Sequence, residues 1–166
     1  MAGLIHDLIE NLNELIGVYD ELTALCREKK GYVIDNDAEN IKRITALETS
    51  VVARVGRFDK ERVSIIKDVC QVLGREESEL TLTQLGDLIS NQPEHKEYTE
   101  VVERLKTSAA DLHEINEQNK TLINNAMDFI DFSVNAIRST MDNSPAGFGR
   151  DGEEYRESAS FLDING

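Results

Sequence analysis

An all-α fold is predicted: three long antiparallel helices in a coiled-coil-like bundle, with one short connector helix and a flexible C-terminal tail. Three features predict it. Apolar residues recur at alternating gaps of three and four over long stretches, the spacing that puts them on one helix face. Glycine and proline are sparse, and both prolines come late, at Pro93 and Pro145, so long helices meet no breaker. No stretch alternates apolar and polar residues with period two for long enough to form a sheet. The chain of 166 residues is long enough for one domain with its own core. The organisation expected is a bundle over 1–141 and a tail over 142–166.

The first helix is expected from about Ala2 to Lys30. Ile5, Leu8, Leu12, Leu15, Tyr19, Leu22 and Cys26 form its seam, widened by Leu4, Ile9, Ile16, Val18 and Leu25. Lys29 and Lys30 followed by Gly31 read as a C-terminal signal, with cations on the negative helix end and a glycine cap. A second helix starts at Asp35-Asn36-Asp37, where Asn36 and Glu39 have capping-pair spacing. Its stripe runs from Ile41 and Ile44 to Val72 and Leu73, and Gly74 ends it. That is about 38 residues, or about 57 Å. Between Ser78 and Ser90, Thr81 and Gln84 can cap a connector helix carrying Leu85, Leu88 and Ile89. The last helix begins near Pro93, which suits a first turn, and stops before Asn143-Ser144-Pro145. It is roughly 47 residues, about 70 Å, so the lengths do not match and the ends of the longer helices must overhang. From Met141 the chain is rich in breakers and polar residues, too poor in apolar side chains to bury much surface.

Several polar residues fall on or near these seams. Counting heptads from Ile41 and Ile44 puts Glu48 and Arg62 on seam positions. The reading adopted is that the stripe drifts at period 3.6, so that both stand at its edge with their stems over apolar surface. The alternative makes them buried partners that fix alignment. Asn119 interrupts the last seam. It is either a boundary amide facing water or a buried one that specifies register or partner. Cys26 and Cys70 both lie in apolar stripes and read as buried, reduced thiols. His6 and Glu10 have the spacing of an exposed helical pair, and His95 and His113 read as solvated.

Charge and motif content exclude several function classes. The net charge is −14, from 18 basic and 32 acidic residues, which argues against nucleic acid and anionic membrane surfaces as partners. No segment approaches 18 uncharged apolar residues, so no membrane insertion is expected. The acidic N-terminus lacks the pattern of a signal peptide, and a cytoplasmic location follows. No cysteine pair has zinc spacing, and none of the three histidines stands three residues after a glutamate, as di-iron bundles require. No phosphate-binding glycine loop or nucleophile elbow is present. The expectation is therefore a protein that is not an enzyme, with no catalytic, cofactor-binding or metal site.

What stands out is the end of the last helix. On a wheel of about 100° per residue, Leu122, Ala126, Phe129 and Ile137 form one line and Ile123, Met127, Ile130 and Val134 a second ridge beside it. Phe132 and Ala136 flank the other side. The apolar arc is about 220° wide, where one core needs little more than about 100°. Something other than the chain's own bundle should cover the excess.

The same region carries a family resemblance. Asn116-Glu-Gln-Asn119-Lys-Thr-Leu122-Ile123, followed by Met127-Asp-Phe129-Ile130-Asp-Phe132-Ser, resembles the late-helix signature of the FlgN family. Gly147-Phe-Gly-Arg-Asp-Gly152 resembles the turn after that helix, with Phe148 where tyrosine is common. Phe161-Leu-Asp163 is similar to the family's small C-terminal element, though the basic ending often seen there is missing. Ala46-Leu-Glu48 and Arg62 suit its second helix.

The resemblance implies a cytosolic type III export chaperone. Such a chaperone binds flagellar hook-associated proteins, the hook–filament junction subunits, shields their amphipathic terminal helices and delivers them to the export apparatus. The expected contacts are Ile123, Met127, Ile130, Phe132 and Val134 in a helix-in-groove mode. Methionine there suits more than one partner. Phe148, Tyr155, Phe161 and Leu162 are expected to be mobile anchors that order on binding. The alternative is a structural coiled-coil homodimer or adaptor without a client, in which a second copy covers the same arc.

Overall fold

The computed structural model describes residues 1–77 and 80–140. Its elements are α1 (Ala2–Ile34), α2 (Ala38–Leu73), α3 (Leu82–Leu88) and α4 (His95–Thr140), and no strand occurs among the described residues. The fold is an all-α bundle, as the seam spacing predicts. Helix α1 is the central rod and packs along both α2 and α4. Side-chain bonds fix the directions. Asn11 donates to the Phe58 carbonyl, Arg54 pairs with Glu21, and Lys29 pairs with Glu48, so α2 runs antiparallel to α1. Arg104 donates to Asn13, Asn119 to the Cys26 carbonyl, and Lys30 to Gln118, so α4 runs in the same direction as α1. The chain goes up, down and up; α2 returns it to its starting end, where the stretch containing α3 carries it across to α4.

The helix boundaries follow local chemistry, with three corrections. Helix α1 does not stop at Lys29-Lys30-Gly31. It continues to Ile34, because Lys29 is drawn inward to a partner on α2 and Val33 is buried beyond it. The reversal falls on Asp35–Asp37, with Asn36 in the left-handed region at φ 53°, a conformation asparagine tolerates better than most residues. The cap of α2 is therefore Asp37 rather than Asn36. The Asp37 carboxylate accepts from the Asn40 side chain at 2.6 Å and from the Asn40 backbone N–H at 3.1 Å, and these bonds hold its carboxyl below the usual range. Third, α4 begins at His95, two residues after Pro93.

Other boundaries stand where the sequence puts them. Gly74 ends α2 with φ 63°, and the next backbone N–H, of Arg75, reaches back to the Cys70 carbonyl at 3.0 Å; a glycine adopts this left-handed cap without a Cβ penalty. Thr81 and Gln84 form the reciprocal capping box of α3.

The core is densest at the connector end. Ile5, Leu8, Ile9, Leu12 and Leu15 of α1 meet Val69 of α2, Leu85 and Ile89 at α3, and Tyr98, Val101, Val102 and Leu105 of α4. At about 1.5–3 kcal/mol for each fully buried large apolar side chain, this cluster is the main source of stability. Helix α3 closes it like a stopper. The Tyr98 hydroxyl donates to the Leu82 carbonyl at 2.8 Å, and His95 Nδ1 lies 3.1 Å from the Gly86 carbonyl. His95 is thus half-buried and engaged with α3 rather than solvated, whereas His113 is exposed. Gly86 lets the Tyr98 ring approach so closely that an added Cβ would meet it at 3.4 Å. Farther along, a smaller cluster of Val18, Leu22, Cys26, Val51 and Ile115 joins all three long helices.

Candidate functional site

The far end of the bundle begins with a polar layer. Lys29 Nζ lies 2.9 Å from Glu48 Oε2, with only 2% and 6% of the two side chains exposed. Cys26 Sγ lies 3.4 Å from the other Glu48 oxygen. Asn119 Nδ2 donates to the Cys26 carbonyl at 2.7 Å and is itself buried. The Cys26, Lys29 and Glu48 side chains thus form one connected set between α1 and α2, and Asn119 joins it from α4 through the Cys26 backbone. Glu48 is not at the edge of a drifting stripe; it is a buried partner, and the cation opposite it is a lysine that reads in sequence as a helix-end charge. Asn119 is the buried amide of its two readings. Arg62 does stand at a stripe edge, 27% exposed and paired with Asp59 one turn earlier on its own helix. Burial, and then the Glu48 carboxylate beside it, push the Cys26 thiol up to about 12. A group so seldom ionised is a poor nucleophile. Both cysteines are free and buried.

Beyond this layer α1 ends and α4 does not. The pairings between α1 and α4 join residues 88 to 93 apart in sequence. Ile34, the last residue of α1, therefore comes level with about residue 125 of α4. The remaining 15 or so residues, to Thr140, project about 22 Å past the neighbouring helix ends.

The apolar side chains of this overhang are uncovered to different degrees. Phe129 is 70% exposed, Ile130 56%, Phe132 71% and Ile137 56%. Ile123, Met127 and Val134 are half-buried. Of the five contact residues expected on α4, Ile130 and Phe132 therefore stand most open. Phe148, Tyr155, Phe161 and Leu162 lie outside the described residues.

Phe129 and Ile137, which lie with Leu122 and Ala126 on the other line of the wheel, were not among the expected contacts. Earlier on α4 Tyr98, Leu105, Ile115 and Asn119 are buried, and farther along Phe129 and Ile137 are not. The helix runs off the end of its support. The signal that could have found them was in hand, namely the unequal helix lengths. Asp128, Asp131 and Arg138 are exposed on the same segment and break its apolar surface with charge. Another exposed apolar residue, Ile34, ends α1 at the same end of the bundle.

Among the described residues no group of histidine, cysteine, aspartate and glutamate side chains could hold a metal ion, and no helix is long and apolar enough to cross a membrane. The His6–Glu10 pair is exposed at 3.3 Å, one turn apart on α1. What the described surface offers is therefore a projecting apolar helix end, held by a buried polar layer at its root.

No curated protein and no solved structure matches the chain. A family model described as FlgN protein matches residues 1–156, nearly the whole chain. FlgN proteins are a family of chaperones and not of enzymes. The late-helix signature, the bundle and this match agree, and the chain belongs to the FlgN family of flagellar export chaperones.

Proposed function

We propose that the overhanging end of α4 is where this chaperone receives its client, and that the client is the amphipathic terminal helix of a flagellar hook-associated protein, shielded in the cytosol until it passes to the export apparatus. The observation that carries this reading is the exposure of Phe129, Ile130, Phe132 and Ile137 on one projecting helix. Apolar side chains so uncovered gain by burial against a partner. A client helix laid alongside would present its own apolar stripe at i, i+3, i+4 and i+7. Ile123, Met127 and Val134 would form the half-covered floor of the contact. Phe148, Tyr155, Phe161 and Leu162 would close over it from the tail. The exposed Asp128 and Asp131 favour a client whose polar edge is basic.

The test is capture of purified hook-associated proteins by the natural chain and by the double variant Ile130→Asp/Phe132→Asp. Both side chains are more than half exposed, so helix content should not change. Burying each such side chain is worth about 1.5–3 kcal/mol, and about 1.4 kcal/mol is tenfold in affinity. Capture should therefore weaken by well over tenfold. Undiminished capture by the folded variant would remove the docking assignment. Sedimentation of the natural chain decides the other reading. A tight dimer that the same double variant dissolves would make a second copy, and not a client, the cover of this ridge.

A further inference from the structure

Helix α2 differs in charge from the rest of the molecule. It carries seven bases and five acids, whereas the remainder of the chain carries 11 and 27. Arg43 and Arg54 pair with Glu28 and Glu21 of α1, and Arg62 pairs with Asp59. Lys42, Arg57, Lys60 and Lys67 remain, all exposed and with no side-chain partner among the described residues. They fall within about 80° of one another around the helix, on the side opposite the buried Ile44, Val51 and Val69. On α4 the exposed Lys96 and Lys106 are met by Glu100 and Glu103 of their own helix. On this face of α2 no such acid is supplied. None stands three or four residues before or after Lys60 or Lys67, the positions that share a helix face. Of the acids adjacent in sequence, Asp59 turns to Arg62 and Glu61 to Asn11, and Asp68 lies about 100° round the helix from Lys67. The side chains between the bases are short. Ala53, Gly56 and Ser64 are exposed on the same side, and a Cβ added at Gly56 would meet nothing within 4 Å.

We propose that this outer face of α2 is a second docking surface, and that its occupant is an acidic helix of a partner protein. The strip from Lys42 to Lys67 is about 37 Å long, room for a helix laid alongside, and its short side chains let a backbone come close. Opposite charge along such a line directs encounter and selects the partner. The charge pattern weighs against other occupants. A second copy related by a twofold axis would set this face against itself, lysine on lysine, and two bodies of net charge −14 repel. Nucleic acid and anionic lipid present broad negative surfaces, which would also meet α1 and α4, where acids outnumber bases. A single acidic helix can touch the strip without facing those flanks. The strip lies on α2 and the overhang on α4, so this inference does not depend on what the overhang binds.

The probe is a labelled synthetic helix of glutamate and alanine, about 25 residues long to match the strip, and fluorescence anisotropy reads its binding to the full chain. The natural chain should bind it, and raising salt from about 50 mM to about 300 mM should weaken binding about tenfold, because exposed charges are screened. Lys60→Glu with Lys67→Glu turns two attractions into repulsions and should weaken binding about tenfold at low salt. Arg27→Glu with Lys96→Glu makes the same change in net charge at exposed positions off this face and should weaken it by less than about threefold. All four side chains are exposed, so circular dichroism should show unchanged helix content in both variants. Absence of binding by the natural chain, or equal losses in the two folded variants, would overturn the proposal. So would self-association in sedimentation that Lys60→Glu with Lys67→Glu abolishes, since a second copy would then be the occupant. Capture by phosphatidylglycerol vesicles or by a DNA oligonucleotide with the same dependence on Lys60 and Lys67 would likewise replace the acidic helix with lipid or nucleic acid.

Discussion

The two ends of this bundle are built in opposite ways. At the connector end three long helices and α3 converge on Leu8, Leu12, Leu85, Ile89 and Tyr98, all of them fully buried. At the far end one helix outruns the others, and Phe129 and Phe132 stand in the open on the same α4 whose Tyr98 is sealed. Helix, seam and residue types are alike at both ends; the difference is the number of neighbours at each level. Stability and binding capacity are thereby separated along one rod. The connector end can hold the fold without help, and the overhang can stay open without unravelling it. Between them lies the Lys29–Glu48 layer, where the apolar core gives way to charge.

The comparison can be broken most sharply at that layer. Glu48→Ala should cost about 3–5 kcal/mol, because the Lys29 ammonium would be left buried without its counter-charge. Urea unfolding measures it. A loss under about 1 kcal/mol, the range of an exposed pair, would mean that water reaches Lys29 and the layer is not sealed.

Next in size is the contrast between the two ends themselves. Leu8→Ala in the dense cluster should cost about 2–5 kcal/mol. Phe129→Ala, the removal of a larger side chain from the same kind of seam position, should stay within about 0.5 kcal/mol. Equal losses at the two sites would show that the overhang is covered in the free protein and that the contrast is false.

The smallest effect expected is at the stopper. Tyr98→Phe keeps the buried ring and deletes the hydroxyl that bonds the Leu82 carbonyl, a loss of about 0.5–1.5 kcal/mol. It should speed hydrogen exchange in α3 far more than in the middle of α1. Uniform acceleration through all helices would mean that α3 is not a separately held element.

Much of this architecture was legible because it is written locally. The alternating gaps from Ile5 to Cys26, the capping box of Thr81 and Gln84, the stop at Gly74 and the exposed His6–Glu10 pair each depend on residues within a turn or two of one another. The misreadings share one cause. Lys29 beside Lys30 and Gly31 has the local marks of a helix end, and nothing near it in sequence announces a glutamate nineteen residues away on another helix. Glu48 on a heptad position is equally consistent with a stripe edge and with a buried pair until its partner is known. The same holds for His95, which reads as solvated until α3 folds back and brings the Gly86 carbonyl to it. Phe129 and Ile137 were left out of the expected contacts, and a wheel could not have placed them in the open, because it gives azimuth and says nothing of where the neighbouring helices end.

The sequence alone determined that this chain is helical, how many long helices it has, which face of each is apolar, and that α4 carries more apolar surface than one core needs. Only the tertiary structure decided that Lys29 meets Glu48, that Asn119 turns inward, and that the uncovered stretch includes Phe129 and Ile137 as well as Ile130 and Phe132. The physical reason is the period of the helix. A pattern that repeats every seven residues fixes direction around the axis and leaves position along it undetermined, and position along the axis is what separates a buried side chain from an open one here.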